Sequence, residues 1–375
     1  MIKRKFLIFI QFTFLFTSNC LAEQGVSSTT IKLGMSNALT GPASQLGKEL
    51  HKGSKVYFDK INRNGGISGR KIDLISLDDG YEPLKTIANT HQLIAQEVFA
   101  LFGYVGTPTS HAILSILKQK NTLFLMPFTG ADFLRTPEHK NIFNLRASYQ
   151  QEAKLQLDFL IKEKGFKKIA LVIQADQFGL AAEKFFLHYM KEFNLTPTVT
   201  SRYRRNSDDI SQVLSTIKPK DLDAVIFVGT YQPLAKLINL GFEQGFTPFY
   251  TTLSFISSAD LYSRLKYKSR VMVSEVMPEP TRCSWKICYQ FIADMKKAGI
   301  TQPNRVQLEG YLNAYIFSEV AKKCQAMLTK TCFINQFEQL SLRDKTIPLQ
   351  YSNQNHQGLQ QLYRSFSIGA SKEKS

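Results

Sequence analysis

From Thr30 onward, short β-branched runs alternate with longer runs in which apolar positions recur every third or fourth residue. Residues 31–35 read as a strand. Residues 47–62 read as a helix whose apolar stripe includes Leu50, Val56 and Ile61, and Asn64-Gly65-Gly66 stops it. Strands follow over 71–77, 98–105 and 122–126, with a short extended piece at 142–145. Between them lie helices over 83–96, with proline in its first turn, and over 111–118. Near Arg146 the rhythm restarts. Helices are expected over 152–164, 180–193 and 232–243, and strands over 168–173, 198–203, 223–228 and 270–275. Two late helices follow, over 286–297 and 307–329.

Strands alternating with helices indicate right-handed βαβ units and parallel sheets. One sheet rarely holds this many units, so the restart predicts an α/β chain with two doubly wound halves. Ligands of such sheets sit outside the carboxyl ends of the strands. That directs attention to the loops after Met35, Val105, Met126, Ile173, Val228 and Leu253.

Three of these loops share a chemistry. They read Ser36-Asn37-Ala38-Leu39-Thr40-Gly41-Pro42, Gly106-Thr107-Pro108-Thr109-Ser110 and Pro127-Phe128-Thr129-Gly130-Ala131. Each is rich in hydroxyls and glycine and is expected to lead into a helix, whose first N–H groups lack partners and carry partial positive charge. Thr107 and Thr109 alone could simply cap a helix. Three such loops at one sheet edge point instead to a site for a carboxylate.

The first twenty-two residues change the picture of where the chain works. Lys3, Arg4 and Lys5 precede an apolar run from Phe6 to Phe16, too short to span a bilayer, and Cys20-Leu21-Ala22 offers small residues for cleavage. This reads as a signal peptide cut after Ala22, delivering the chain to the periplasm. A lipid anchor at Cys20 is not expected, because Asn19 and Thr17 do not suit one. The 375-residue chain carries a net charge of +17, and removal of the leader leaves +14. The charges are spread out. The tightest cluster, Arg202, Arg204 and Arg205, reads as a solvated face, so nucleic acid is not an expected partner. A basic surface favours anionic ligands.

Cys283, Cys288, Cys324 and Cys332 remain after cleavage. An even count in an oxidising compartment permits two disulfides with three pairings open, the local pairs being simplest, with a zinc site as the rival. No catalytic pattern emerges. No Gly-x-Ser-x-Gly elbow or phosphate loop occurs, the histidines are scattered, and Asp78-Asp79-Gly80 lacks the acidic residues a calcium loop needs. No enzyme activity, cofactor or metal is expected.

With these features in view, the chain resembles a type I periplasmic substrate-binding protein, similar to the leucine/isoleucine/valine-binding component of ABC transporters. The resemblance runs from about Thr30 to Lys330. It rests on the order and spacing of several motifs. These are Ile31-Lys32-Leu33-Gly34, Leu39-Thr40-Gly41-Pro42, Ile61 through Arg70, Asp78-Asp79, Gly103 through Thr107, Pro127 through Ala131, Asn144-Leu145-Arg146-Ala147, Gln177-Phe178-Gly179 and Leu308-Glu309-Gly310-Tyr311. It implies two doubly wound parallel-sheet lobes joined by three hinge crossovers, near Arg146, near 276–278 and after Cys332. Lobe one would comprise 23–145 and 276–335. Lobe two would comprise 146–275, with residues 336–375 returning to it and forming a tail.

The resemblance also implies a ligand set: Thr107 for a ligand carboxylate, Thr129 and Gly130 for backbone N–H groups, and Tyr149, Phe178, Tyr231, Ser254 and Phe255 around the cleft. It implies a monomer that binds a small molecule and serves a membrane ABC permease. Three departures matter. The aspartate that pairs with a ligand ammonium in amino-acid binders is missing from Arg146-Ala147-Ser148-Tyr149-Gln150-Gln151-Glu152. Leu253-Ser254-Phe255 lacks the family's frequent acidic residue, and Leu46 replaces an aromatic. Glu152 or Asp176 could substitute only by reaching the cleft. The carboxylate half of the site is therefore expected to survive and the ammonium half is not, which fits a branched-chain amino acid less well than an amide or organic acid. The alternative role is a sensory or regulatory module acting on a membrane kinase or cell-wall enzyme. A DNA-binding repressor is set aside because the leader stands where its headpiece would be.

Overall fold

The structure is a computed structural model that describes residues 23–136, 138–342 and 347–367. The expected signal peptide and the Cys20 question lie outside these residues. Among the described residues, no helix is long and apolar enough to cross a membrane.

Two sheets form. The first contains β1 (Thr30–Asn37), β2 (Lys71–Asp78), β3 (Ala100–Phe102), β4 (Leu123–Leu125) and β5 (Ile142–Phe143). Their order is β2-β1-β3-β4-β5 and all pairs are parallel. The second contains β6 (Ile169–Gln174), β7 (Val199–Tyr203), β8 (Ala224–Val228), β9 (Phe249–Thr252), β10 (Val271–Glu275) and β11 (Tyr363–Phe366), in the order β11-β10-β9-β8-β6-β7. Only β11 runs antiparallel, against β10. Helices cover both faces, so central strands such as β6, Ile-Ala-Leu-Val-Ile-Gln, are buried at every position. The order reverses between β1 and β3 in one sheet and between β6 and β8 in the other. The loops after these strands therefore face the junction of the lobes.

The first lobe is closed by chain from far away in sequence. Helix Arg305–Lys323 lies against helix Ser44–Arg63 at close range. A Cβ on Gly53 would stand 1.9 Å from the Gln307 carbonyl oxygen, and one on Gly310 would stand 2.0 Å from that of Leu50. The Ser54 hydroxyl donates to the Gly310 carbonyl at 2.9 Å. Phe58, Phe102 and Phe317 pack in the core beneath.

Three crossovers sit side by side. Asn144 pairs with Gln357 in a parallel bridge. The Leu359 N–H donates to the Leu145 carbonyl at 2.8 Å, and Val276 and Met277 share the core with Leu145. The return to the second sheet comes later than residue 336. Leu340, Leu349, Tyr351 and Leu359 are buried in the first lobe's core, and the Tyr351 hydroxyl donates to the Asn144 carbonyl at 3.0 Å. A few large apolar groups anchor this otherwise polar segment. The helix expected over 307–329 is also interrupted. It ends at Lys323, and a new helix, Lys330–Glu338, starts at Thr329, whose hydroxyl accepts from the Cys332 N–H. Disulfides join Cys324 to Cys332 across that break and Cys283 to Cys288 near the second crossover.

Candidate functional site

The loop after β1 turns its polar groups to the end of β2. Thr40 donates its hydroxyl to Asp78 at 2.6 Å, and the Leu39 and Thr40 N–H groups donate to the same carboxylate. Ser36 donates to Asp79 at 2.7 Å. The Asp78-Asp79 pair thus fastens two strand ends, and these donors hold the Asp78 carboxyl below its ordinary value although burial opposes them.

The next two loops meet. The Thr107 and Thr129 hydroxyls lie 2.7 Å apart, and the Tyr149 hydroxyl is 3.0 Å from the first and 3.2 Å from the second. All three residues are fully buried. Tyr149 opens helix Tyr149–Leu157, which is set by a capping box between Ser148 and Gln151. Its N–H donates to the Gly130 carbonyl at 2.8 Å, which ties this helix to the lobe-one loop after β4. Burial raises its phenol pKa, while Arg146 and the two threonines oppose that rise. The expected helix-end anion site differs in detail. Thr107 begins a helix of only six residues, and the loop after β4 enters a single 3-10 turn, Asp132–Leu134. The Thr129 N–H is already given to the Pro127 carbonyl at 2.9 Å. Side-chain hydroxyls, rather than helix ends, are the polar feature here. Gly130 contributes clearance: its Cα faces the Tyr149 ring directly, and a Cβ there would lie 2.5 Å from it.

Lobe two adds rings. Phe178 lies 5.3 Å from Tyr149 and 4.9 Å from Phe255, centroid to centroid. Phe255 in turn meets Tyr81 at 5.6 Å and Phe128 at 5.7 Å, both from lobe one. All five are buried together with Leu46. Tyr81 holds a left-handed backbone, φ 62°, fixed by its N–H to Asp79 at 2.9 Å. A non-glycine residue there is uncommon, and such conformations gather at functional sites. Tyr231 is not part of this group. It packs in the opposite core of lobe two, under the Arg264 guanidinium, with Ser44 and Gln45 of lobe one beside its hydroxyl.

Charged groups form the floor. Glu152 is fully buried and accepts from the Ser254 N–H at 2.7 Å, the Ser254 hydroxyl at 2.8 Å and the Ser274 hydroxyl at 2.6 Å. Burial raises its pKa, against Arg146 and these donors. Arg146, 1% exposed, stacks on Phe128 with 3.9 Å from guanidinium carbon to ring centroid. Its Nε stands 3.0 Å from Glu309, and its Nη2 donates to the Ser254 carbonyl at 3.3 Å. Its Nη1 has no hydrogen-bond partner among the described residues. Burial lifts the Glu309 carboxyl to about 7. Asp176 caps helix Gln177–Glu192 through the Phe178 and Gly179 N–H groups and accepts from Gln174 at 2.7 Å. The arginine cluster is not a plain solvated face. Arg205 crosses to Glu82 of lobe one at 2.7 Å and Asn206 joins it, while Arg202 pairs with Glu183.

Sequence reasoning reached Thr107, Thr129, Gly130, Tyr149, Phe178, Ser254 and Phe255, which the fold brings to one junction. It did not assign roles to Arg146, Tyr81 or Phe128. For Arg146 a signal was present, a lone cation between Leu145 and Ala147 at the crossover. For Tyr81 none was, since its position depends on the turn after β2.

Two doubly wound lobes, three adjacent crossovers and a junction floored by hydroxyls, rings and a buried guanidinium define a two-lobed binding protein of type I topology. The sequence matches the family model described as periplasmic binding protein over residues 30–368, and the chain belongs to that family. Among its relatives, Leu/Ile/Val-binding protein homolog 3 of Brucella melitensis is 24% identical over 199 residues, 53% of this chain and 54% of that protein. The match thus spans about half of that relative's own length. A possible leucine/isoleucine/valine-binding protein from Rhodopirellula baltica, solved as a crystal structure, is 29% identical. That match covers 91% of this chain and 95% of that one, with a TM-score of 0.84. A fatty acid ABC transporter substrate-binding protein from Thermomonospora curvata shares the fold at 19% identity, 93% and 92% coverage and a TM-score of 0.83. The names of these neighbours differ in ligand, so the fold does not select one.

Proposed function

We propose that this chain is the periplasmic solute-binding component of an ABC importer, and that its lobes close on a small carboxylate-bearing ligand for delivery to a membrane permease. The observation that carries the reading is the buried cluster of the Thr107, Thr129 and Tyr149 hydroxyls at the lobe junction. Three O–H groups held within hydrogen-bond reach of one another can turn together toward a carboxylate, and bonds to a charged group are the stronger kind. Phe178, Phe255, Tyr81 and Phe128 supply apolar faces from both lobes for the rest of the solute, and Gly130 leaves the space Tyr149 needs. Tyr231 stands at the edge of the junction and Ser254 supports its floor. The chemistry is binding and release rather than covalent change, as in the family's named members.

The test is thermal unfolding of residues 23–375 against a panel of amino acids, amides and organic acids. A ligand that binds only the folded state stabilises it by about 2.7 kcal/mol at a hundredfold over its dissociation constant. A rise of a few degrees in the midpoint with a carboxylate-bearing compound is expected. Absence of any shift across the panel would overturn the transport reading and leave the sensory alternative.

A further inference from the structure

The reading above names a carboxylate and leaves the rest of the solute open; the next step rests on it. We infer that the ligand is an organic acid with an apolar body and no ammonium group, a deaminated acid rather than an α-amino acid.

The first ground is the state of the carboxylates at the junction. An ammonium taken out of water needs a carboxylate partner, since an unpaired buried charge is strongly unfavourable. Glu152 is held by the Ser254 N–H, the Ser254 hydroxyl and the Ser274 hydroxyl. Asp176 is held by the Phe178 and Gly179 N–H groups and Gln174, with Arg205 3.7 Å away. Asp79 is held by Ser36, Thr86 and the Tyr81 N–H. Glu82 is taken by Arg205 and Asn206. To serve an ammonium, any of these four would have to surrender a donor that its own loop relies on, while Glu309 is paired with Arg146 at 3.0 Å and Glu275, whose Oε1 has no hydrogen-bond partner among the described residues, faces Arg305 at 3.9 Å. For Glu152 that donor includes the buried backbone N–H preceding Phe255.

The second ground is an unmet donor. Arg146 is buried between Phe128 of lobe one and Ser254 of lobe two, with Glu309 3.0 Å from its Nε, and its Nη1 carries N–H groups with no acceptor among the described residues. A buried guanidinium N–H without an acceptor favours an incoming anion and disfavours an incoming cation. The third ground is the lining. Tyr81, Phe128, Tyr149, Phe178 and Phe255 are all buried at the junction and present rings to whatever enters. Hydroxyls and a guanidinium for one anionic end, with rings for the remainder, describe an apolar monocarboxylate.

The test uses matched pairs that differ only in the ammonium group. Calorimetric titration of the unmodified protein would compare leucine with 4-methylpentanoate and phenylalanine with 3-phenylpropanoate. The acid of at least one pair is expected to bind tenfold or more tightly than its amino counterpart. Equal affinity within each pair, or tighter binding of the amino acid, overturns the inference and leaves solute binding intact. If neither pair binds, the inference also falls. Solute binding then stands if another carboxylate of the panel shifts the unfolding midpoint, and falls with it if none does.

Discussion

Gly130 shows how closely the junction is drawn at the scale of one residue. A Cβ there would lie 2.5 Å from the Tyr149 ring and 2.8 Å from its backbone nitrogen. Gly130→Ala should therefore displace Tyr149 and destabilise the fold by about 1–3 kcal/mol, as overpacking does. Chemical denaturation would read this as a lower midpoint at unchanged slope. Thr107→Val removes one hydroxyl and leaves Thr129 and Tyr149 bonded to each other at 3.2 Å. Its cost to stability should be about 1 kcal/mol. Its cost to affinity for a panel carboxylate should be larger, about ten- to a hundredfold if a charge-assisted bond is lost. Parallel unfolding and binding curves would separate the two. The hydroxyls were legible because Ser, Thr and Gly beside a strand end announce a loop at the sheet's edge. The Arg146 role was not, because it depends on Phe128, Ser254 and Glu309, which only the closed topology brings within reach of one guanidinium.

Elements were legible wherever a strong periodicity ended on a recognisable stop. Helix Lys286–Lys297 falls where its pattern placed it. The short pieces escaped, among them helix Ser211–Ile217 and helix Ser258–Ser263, since a six- to seven-residue run carries too little period to stand out, and of β9 only its end was marked, by the loop after Leu253. The helix expected over 152–164 widens into a π-helical stretch over Asp158–Glu163, a change of pitch that apolar spacing does not report. The crossovers bring their own chemistry. Burial raises Glu275 and Glu309 from 4.5 to about 7, against Arg305 and Arg146 respectively, with Glu152 pushing both further up. A carboxyl with a raised folded pKa binds its proton more readily folded than unfolded. Its contribution is then full below the unfolded value and is lost as pH rises through the folded one. Stability should fall between about pH 4.5 and 7 on this account. Unfolding midpoints across that window would show it, and Glu309→Gln should flatten the slope.

At the scale of the whole molecule the lobes are held by contacts outside the ring cluster. Arg205 and Asn206 reach Glu82, and Lys184 reaches Asp132 at 2.5 Å. Glu82 and Arg205 are partly exposed, 41% and 23%, so screening limits what their pair contributes. Glu82→Ala should therefore weaken binding of a panel carboxylate only severalfold, through a faster off-rate that stopped-flow dilution would resolve.

The pairing of helix Ser44–Arg63 with helix Arg305–Lys323 carries a temporal consequence. The two glycine contacts join positions 254 and 260 residues apart, and the Ser54–Gly310 bond joins positions 256 apart. The first lobe cannot complete its core until the last third of the chain is present. The second lobe, built from 149–275 apart from edge strand β11, can assemble from a nearly continuous stretch. Loop closure over so long a span slows the later event. Refolding followed at Trp285, which packs against the first core, should lag behind recovery of total secondary structure. Until then the half-made lobe presents its sticky inner surface to whatever else is nearby.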